Sequence, residues 1–152
     1  MLESDDSVVQ PLTGIRVLDL CGDLGVYCGK LLADVGADVI KVEPPGGDPM
    51  RRIGPFMEGP DSLENSIHWR HYNTNKRSVT LDITSDEGSN LLRRLVSTAD
   101  VVVESFQPGY LDSFGLGYQH LGEELPGLIY ASLTPFGPVS YTHLTLPTNR
   151  EV

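Results

Sequence analysis

The side chains most able to do chemistry lie in two polar segments, residues 73–77 and 104–109. The first segment, Asn73-Thr74-Asn75-Lys76-Arg77, places amide and cationic donors just before an apolar run. Donors of this kind hold phosphate groups through charge-assisted hydrogen bonds. The spacing alone favours a solvated turn, and an anion-binding loop is the alternative interpretation.

The second segment, Glu104-Ser105-Phe106-Gln107-Pro108-Gly109, carries an aromatic ring and a glycine. Phe106 is able to stack on a flat ring, and Gly109 would let the backbone approach a ligand closely. The alternative for Phe106 is an ordinary place in the hydrophobic core.

No catalytic or metal-binding motif stands out. The sequence has no G-x-S-x-G and no H-E-x-x-H, and its acids and histidines do not follow metal-ligand spacing. His68 and His71 are interpreted as loop residues. We predict no catalytic residue and no metal site. The acids Asp19, Asp23 and Asp38 are interpreted as strand-end, loop and strand-start residues.

The first strand-to-helix turn is where the glycine fingerprint of a dinucleotide-binding site would lie. Residues 22–25, Gly-Asp-Leu-Gly, match the G-x-G-x-x-G fingerprint only in part. Asp23 would also repel a pyrophosphate at the helix N-terminus. Glu43 resembles the ribose-binding acid of NAD proteins, and its alternative is a solvated strand end. These residues therefore do not favour NAD binding.

The elements that must position these residues alternate along the chain. Short β-branched and aliphatic runs predict strands, and segments with 3.6-residue periodicity predict helices. Strands are predicted at 15–20, 37–43, 78–83, 100–105 and 127–133, and helices at 26–35, after residue 84, and at 117–125. The order predicts an α/β fold: an open parallel Rossmann-like sheet with helices on both faces.

Local signals refine these elements. Leu31, Leu32 and Val35 are expected on the core face of the first helix, and Gly36 is expected to end that helix. Thr84 and Glu87 have capping-box spacing for the next helix. Residues 44–77 lose all periodicity, which makes this segment a candidate ligand-contacting loop.

Composition excludes several classes of protein. The net charge of −10 argues against nucleic-acid binding, and no apolar run is long enough to span a membrane. Two cysteines form neither a disulfide framework nor a zinc site, so a reduced, cytoplasmic setting is predicted. Residues 1–10 are interpreted as a disordered leader rather than a signal peptide.

The C-terminal segment 139–152 fits nothing before it. Residues 139–148, VSYTHLTLPT, read as the translation of a transposase-type sequencing adaptor. We therefore predict that native sequence covers 11–138 and that 139–152 is a non-native tail. His143 and Tyr141 then have no functional meaning, and a genuine polar C-terminus is the alternative.

Five blocks in order resemble family III CoA-transferases. They are PLTGIRVLDL, CGKLLADVGADVIKVEPPGGDPMRRIGPF, NTNKRSVTLDI, ADVVVESFQPGYLDSFGLGY and LIYASLTPFGP. The family includes formyl-CoA transferase, carnitine CoA-transferase and α-methylacyl-CoA racemase. The resemblance implies that residues 11–138 are the N-terminal part of the family's large domain, which is incomplete here.

The resemblance also implies a reaction. The family moves CoA between an acyl-CoA and a carboxylic acid through intermediates on an aspartate. That aspartate lies downstream of the block matching LTPFGP, so a catalytic residue is not expected in this chain, which would be inactive alone. The alternatives are a racemase-type enzyme and a non-catalytic CoA- or nucleotide-binding domain. Acyl-CoA is expected as substrate, and no covalently bound cofactor is expected.

Family contacts transfer only where residues match. Lys76, with neighbours Asn75 and Arg77, is expected at the nucleotide end of CoA, and Phe106 and Gly109 are expected beside the adenine. Two departures weaken this pattern: the family asparagine is replaced by a serine at 105, and a common arginine is replaced by a serine at 113.

The first turn also departs from the family. Residues 24–27 stand where the family has Q-A-G-P or L-A-G-P, so the glutamine of formyl-CoA transferase is missing. This argues against a formyl-type oxalate enzyme. Family members form interlocked homodimers, and a homodimer is expected for the full-length protein. The fragment is expected to be poorly stable and to expose apolar sheet edges.

Overall fold

The computed structural model describes residues 9–58 and 62–135, so most of the predicted leader and the whole predicted tail lie outside the described residues. The elements in chain order are β1 (Arg16–Leu20), α1 (Val26–Asp34), β2 (Asp38–Glu43), a 3-10 helix (Pro49–Arg52), α2 (Ile67–Tyr72), β3 (Arg77–Thr80), α3 (Asp86–Val96), β4 (Val101–Glu104), a second 3-10 helix (Leu111–Phe114), α4 (Tyr118–Glu124) and β5 (Ile129–Ser132).

The five strands form one parallel sheet in the order β3-β2-β1-β4-β5. The central strand is β1, whose Leu18 lies in register with Ile40 of β2 on one side and with Val102 of β4 on the other. The chain order of the strands reverses between β1 and β4. Open α/β sheets bind ligands at such a reversal, outside the carboxyl ends of the strands. The predicted open parallel sheet is confirmed.

Successive residues of the central strands enter two separate cores because strand side chains alternate between faces. Val17 of β1 packs in one core with Ala33 of α1. Leu18 packs in the other core with Leu92 of α3 and Leu121 of α4. Helices therefore cover both faces of the sheet, as predicted.

Helix α1 ends as the sequence predicts. Gly36 has a positive φ of 101°, which favours glycine. The Gly36 amide donates to the Ala33 carbonyl at 3.1 Å, and the Ala37 amide donates to the Leu32 carbonyl at 3.0 Å. These two bonds are a Schellman motif, which satisfies carbonyls at the helix end.

The predicted core face of α1 is wrong. Leu31 is 47% exposed and Val35 is 41% exposed, and only Leu32 packs partly against a core. The helix is turned so that Gly29 lies against the buried side chain of Asp19. A Cβ atom on Gly29 would lie 2.2 Å from Asp19 Oδ2, so only glycine allows this approach. A close contact with a buried acid, which periodicity does not reveal, sets the rotation of the helix.

The capping box predicted for α3 is also wrong, by one residue. Ser85 is the N-cap, and its hydroxyl accepts the Gly88 amide at 3.0 Å. The Thr84 hydroxyl instead donates to Asp82 Oδ1 at 2.6 Å, in the turn before the helix. Glu87 lies in the first turn, where an acid complements the helix dipole.

The segment 44–77 is more regular than predicted. It contains the first 3-10 helix and α2, which begins after Ser66, whose hydroxyl accepts the Trp69 amide at 3.0 Å. His68 and His71 therefore lie on a helix rather than in a loop. Strand β3 is shorter than the predicted 78–83. No helix within 9–58 and 62–135 has the length and apolarity needed to cross a bilayer.

Candidate functional site

The loops that follow β1 and β4 meet where the strand order reverses. The Gly22 amide donates to the Ser105 hydroxyl at 2.9 Å. The strand residues just before these loops, Leu20 and Glu104, are in register. The contact therefore places both loops side by side at the carboxyl edge of the sheet, where ligands of this architecture bind.

An apolar cavity of about 140 Å³ opens at this edge, which we call the ring slot. Its apolar walls come from residues at the ends of four strands: Leu20, Val42, Leu81, Ile83, Phe106 and Tyr110. The rings of Phe106 and Tyr110 stack with centroids 4.9 Å apart and an interplanar angle of 23°. Apolar cavities of about 150 Å³ bind a benzene-sized ring. The slot can therefore accept a flat ring against Phe106.

Gly109 lies in the same loop as Phe106. Its φ is +83°, and no atom lies within 4 Å of the position that a Cβ would take. The positive φ, rather than crowding, therefore requires glycine there. Gly109 lines a second cavity of about 300 Å³, which we call the acidic cavity because it also contains Glu104 and Asp112.

Glu104 joins the two cavities through its hydrogen bonds. Its side chain accepts the Phe106 amide at 2.6 Å and also accepts the Ser132 hydroxyl. The residue is only 6% exposed. Burial raises the pKa of Glu104, the charge of Asp112 raises it further, and the Phe106 amide opposes both. The sequence suggests no role for this acid.

Lys76, predicted at the nucleotide end of a ligand, is buried under α1. Its ammonium donates to Asp19 Oδ2 at 2.7 Å, to the Val26 carbonyl at 2.9 Å and to Asn73 Oδ1 at 3.0 Å. Burial lowers the pKa of Lys76, and Asp19 opposes that effect. The three donors of the ammonium are all in use, so an anion could gain a hydrogen bond from Lys76 only by displacing one of these acceptors.

Asn75 and Arg77 lie away from the ring slot. The Asn75 side-chain amide donates to Asp34 Oδ1 at 3.0 Å, at the C-terminal end of α1. Arg77 begins β3 and pairs with Asp38, which begins β2. Both contacts are at the amino edge of the sheet. The structure thus places Phe106 and Gly109 in one loop at the carboxyl edge, where they line different cavities, and places Asn75 and Arg77 at the opposite edge.

Glu43 is not the solvated strand end that the sequence indicates. It is 2% exposed and accepts two hydrogen bonds from Arg51, at 2.6 and 2.8 Å. Burial alone would raise the pKa of Glu43, but Arg51, the Ser78 hydroxyl and the Asp48 amide outweigh burial and lower it to about 2. Because Arg51 occupies this carboxylate, Glu43 is not available as the ribose-binding acid of an NAD site.

A second buried charge cluster lies beneath the first turn. Lys41 is 1% exposed, donates to the Cys21 carbonyl and lies 3.3 Å from Asp48 and 3.9 Å from Asp19. A sequence signal exists for it, since a lysine inside the apolar run VIKVE needs a buried partner. The identity of that partner could not be found without the fold.

The remaining reactive groups near this edge do not form a catalytic set. Burial raises the pKa of the Cys21 thiol, and the Asp19 charge adds to that effect, so the thiolate is disfavoured. His68 Nε2 lies 3.3 Å from Asp23 Oδ1, which is mostly exposed. Within the described ranges, no three acids, histidines or cysteines are grouped as metal ligands.

The chain matches the family described as CoA-transferase family III over residues 12–144. It is 50% identical over 131 residues to a succinate–glutarate CoA-transferase from Agrobacterium fabrum. It is 43% identical over 128 residues to a subunit of succinyl-CoA:(R)-benzylsuccinate CoA-transferase from Thauera aromatica. These alignments cover 84% of this chain but 33% and 31% of the two relatives.

Solved structures agree with these relatives. The hypothetical protein Rv3272 of Mycobacterium tuberculosis superimposes with a TM-score of 0.77 at 41% identity, and a CAIB/BAIF family protein of Brucella suis with 0.75 at 45%. The matches cover 86% and 81% of this chain, and 35% and 33% of those chains. The chain spans about a third of the length of the proteins it matches.

Proposed function

The chain belongs to CoA-transferase family III, and on that premise we propose that it is the N-terminal, CoA-binding part of an enzyme that moves CoA between carboxylic acids. The observation that carries this proposal is the ring slot at the strand-order reversal, with Phe106 as its aromatic wall. A flat ring stacked on a phenylalanine in an apolar slot is a suitable setting for the adenine of CoA.

The substrates proposed are dicarboxylic acids and their CoA thioesters. The relatives from Agrobacterium fabrum and Thauera aromatica are named for succinate, glutarate, succinyl-CoA and benzylsuccinate. Transfer rather than racemisation is favoured because both of these relatives are named as transferases. We propose succinyl-CoA as the donor and a second dicarboxylic acid as the acceptor.

The chemistry is proposed to use an aspartate outside this chain. Its carboxylate attacks the thioester carbonyl, which gives a mixed anhydride and releases the CoA thiolate. The thiolate then attacks the aspartyl carbonyl, and the donor acid leaves. The acceptor carboxylate attacks the aspartyl thioester, which gives a second mixed anhydride and releases the CoA thiolate again. The thiolate attacks the acyl carbonyl of the acceptor in this anhydride, which gives the new CoA thioester and regenerates the aspartate carboxylate. The full-length protein is proposed to be a homodimer.

The residues proposed for CoA fall into two groups. Phe106 lines the ring slot, where its ring can stack on the adenine. Gly109 belongs to the same loop and lines the acidic cavity, where its backbone can approach the ligand. Lys76, Asn75 and Arg77 stay predicted contacts for the nucleotide end, but the bonds of Lys76 to Asp19 and of Arg77 to Asp38 compete with that role.

A chimera tests the proposed function in a complete protein. Residues 12–135 of this chain replace the matching residues of the Agrobacterium fabrum relative, which is 50% identical. We expect the chimera to transfer CoA from succinyl-CoA to glutarate, as measured by chromatography of the CoA thioesters, with the unmodified relative as control. A folded chimera that binds CoA but transfers none would indicate a non-catalytic binding domain. A folded chimera that does not bind CoA would contradict the proposal.

A further inference from the structure

Glu104 is a buried carboxylate to which the proposed chemistry gives no task. It ends β4, the strand next to the central one, and lies between the ring slot and the acidic cavity. No cation contributes to its pKa among residues 9–58 and 62–135. A buried acid without a cation is costly, so the hydrogen bonds that its carboxylate accepts have to offset that cost.

The hydrogen bonds of Glu104 are directed at the binding loop. One side-chain oxygen, Oε2, accepts the Phe106 amide, and the other, Oε1, accepts the Ser132 hydroxyl of β5. The main-chain oxygen of Glu104 accepts the Leu133 amide at 2.8 Å. One residue therefore ties the start of the loop 105–110 to the neighbouring strand.

Phe106 depends on this tie for its position. Its amide is held by Glu104, two residues earlier, while its ring stacks on Tyr110 and lines the ring slot. If the amide loses its acceptor, the loop can turn at residue 105 and carry the ring away from the slot. We propose that the Glu104 carboxylate is the positioning residue that holds Phe106 for a purine ring, and that purine binding requires Glu104 to be ionised. This inference rests on the proposed function.

Ionisation matters because of the charge on the group that accepts the Phe106 amide. An ionised carboxylate has two acceptor oxygens, one for the Phe106 amide and one for the Ser132 hydroxyl. Protonation converts one oxygen into a donor, to which the Ser132 hydroxyl can rotate as an acceptor. The Phe106 amide then keeps an acceptor oxygen, but that oxygen belongs to a neutral acid. A hydrogen bond to a charged acceptor is stronger than one to a neutral acid.

The groups that face Glu104 set the pH at which this change occurs. Asp112 approaches from the second 3-10 helix, and Tyr130 from β5. The neighbour in β1 is Leu20, which does not ionise. Burial and the charge of Asp112 both raise the pKa of Glu104. The loss of binding should therefore begin at a higher pH than an ordinary glutamate would give.

Adenosine is the probe, because it has a purine but no phosphate that titrates in the same range. Its affinity is measured by calorimetric titration from about pH 8 down to about pH 4, near the ordinary pKa of glutamate, so that any transition raised above that value falls within the range. The full 152-residue chain and the chimera are both used, so that one unstable protein does not decide the result. We expect the affinity to fall about tenfold as Glu104 becomes protonated.

Two variants separate this role from a purely structural one. Glu104→Gln should bind adenosine about tenfold more weakly at pH 8, with no pH response, because its amide oxygen is a neutral acceptor for the Phe106 amide and does not titrate. Asp112→Asn should keep the affinity at pH 8 and shift the transition to lower pH, because it removes a charge that raises the pKa of Glu104.

The outcomes distinguish the two proposals. Binding of adenosine with equal affinity at every pH, or a Glu104→Gln variant with unchanged affinity and pH response, overturns the role of Glu104 and leaves the proposed function in place. An Asp112→Asn variant that loses affinity at all pH values without a shift also overturns it. Failure of both proteins to bind adenosine or CoA at any pH overturns the proposed function and, with it, this inference.

Discussion

Phe106 and Lys76 are two candidate ligand contacts that the structure places very differently. Phe106 presents its ring to the ring slot and stacks on Tyr110. Lys76 directs its ammonium into the protein, toward Asp19. Phe106 therefore lines a cavity at the carboxyl edge of the sheet, whereas Lys76 stabilises the contact between α1 and the sheet.

Replacement of Phe106 tests the aromatic wall of the slot. Stacking of a base on an aromatic side chain contributes about 1–3 kcal/mol, which is about tenfold to a hundredfold in affinity. Phe106→Ala in the chimera should therefore weaken CoA binding by that amount in calorimetry. Tyr118→Ala is the control, because Tyr118 is a nearby aromatic residue, 58% exposed, that lines only the acidic cavity. Equal losses of CoA affinity in both variants would contradict the proposal that the ring slot binds the adenine.

Replacement of Lys76 tests the buried pair. Lys76→Met leaves Asp19 buried next to an apolar side chain, and breaking a buried ion pair in this way costs about 3–5 kcal/mol. Lys30→Met is the matched control: Lys30 pairs with Asp34 on the surface of α1, and such pairs contribute about 0.3–0.5 kcal/mol. Chemical denaturation measures the free energy of unfolding of both variants, and the two losses are compared. A Lys76→Met variant as stable as the control would show that the pair is unimportant.

The sequence could place Phe106 and Gly109 in one loop after β4 because that placement is local, whereas their contact with CoA stays a prediction. A ring and a glycine in one short loop after a strand need only the adjacent strand to be placed correctly. The partner of Lys76 is Asp19, which is 57 residues away and lies in β1. A contact of that kind depends on the strand order and on the rotation of α1, and neither can be read from residue types.

At the scale of elements, Arg51 attaches the segment after β2 to the sheet. Its guanidinium bonds to Glu43 in two places and lies 4.0 Å from the centre of the Trp69 ring. Trp69 belongs to α2, so one side chain joins β2, the first 3-10 helix and α2. This contact explains why a stretch rich in glycine and proline adopts a defined path.

The Glu43–Arg51 contact predicts acid sensitivity. The pKa of Glu43 is about 2 in the folded chain against an ordinary value of 4.5, so its contribution to stability is present above pH 4.5 and is lost as the pH falls toward 2. That difference corresponds to about 3 kcal/mol of unfolding free energy. The unfolding free energy of the chimera should fall across this window.

Glu43→Gln should remove this part of the pH dependence while lowering stability at neutral pH. Glu87→Gln, in the exposed first turn of α3, should leave the acid profile nearly unchanged. Denaturant titrations at several pH values between about 2 and 6 measure both effects. If the unfolding free energy of the Glu43→Gln variant falls with pH as steeply as that of the parent chimera, Glu43 is not the cause of the acid sensitivity.

Strands were the most predictable elements, because short aliphatic runs such as those at 15–20 and 100–105 leave little choice. Gly36 also predicted the end of α1 for a local reason. The face of α1 could not be predicted, because apolar residues lie on both sides of the helix and the contact of Gly29 with Asp19 selects one. The first 3-10 helix and α2 were missed because Arg51, not periodicity, organises that segment.

At the scale of the whole molecule, α1 presents an apolar stripe to solvent. Tyr27 and Leu31 of α1 are 53% and 47% exposed. Leu24, just before the helix, and Val35, just after it, extend the stripe at the same spacing and are 57% and 41% exposed. Edge strand β5 exposes Ile129 at 62%. Exposed apolar stripes and unpaired strand edges promote association. The proteins that the chain matches are about three times as long.

We expect the isolated 152-residue chain to self-associate through these surfaces. Leu31→Glu should lower the association measured by analytical ultracentrifugation, because it places a charge in the middle of the stripe. Asn90→Glu, which adds the same charge to an exposed position of α3, should have little effect. A parent chain that is monomeric and unfolds cooperatively would contradict this expectation.

We propose that the carboxyl edge of this sheet binds the adenine of CoA against Phe106. Saturation-transfer difference NMR of CoA with the chimera tests this placement, since it reports which ligand protons contact the protein. We predict the strongest transfer at the adenine H2 and H8 protons, and its loss in Phe106→Ala but not in Tyr118→Ala. Transfer confined to the pantetheine protons, or adenine signals unchanged in Phe106→Ala, would contradict the claim.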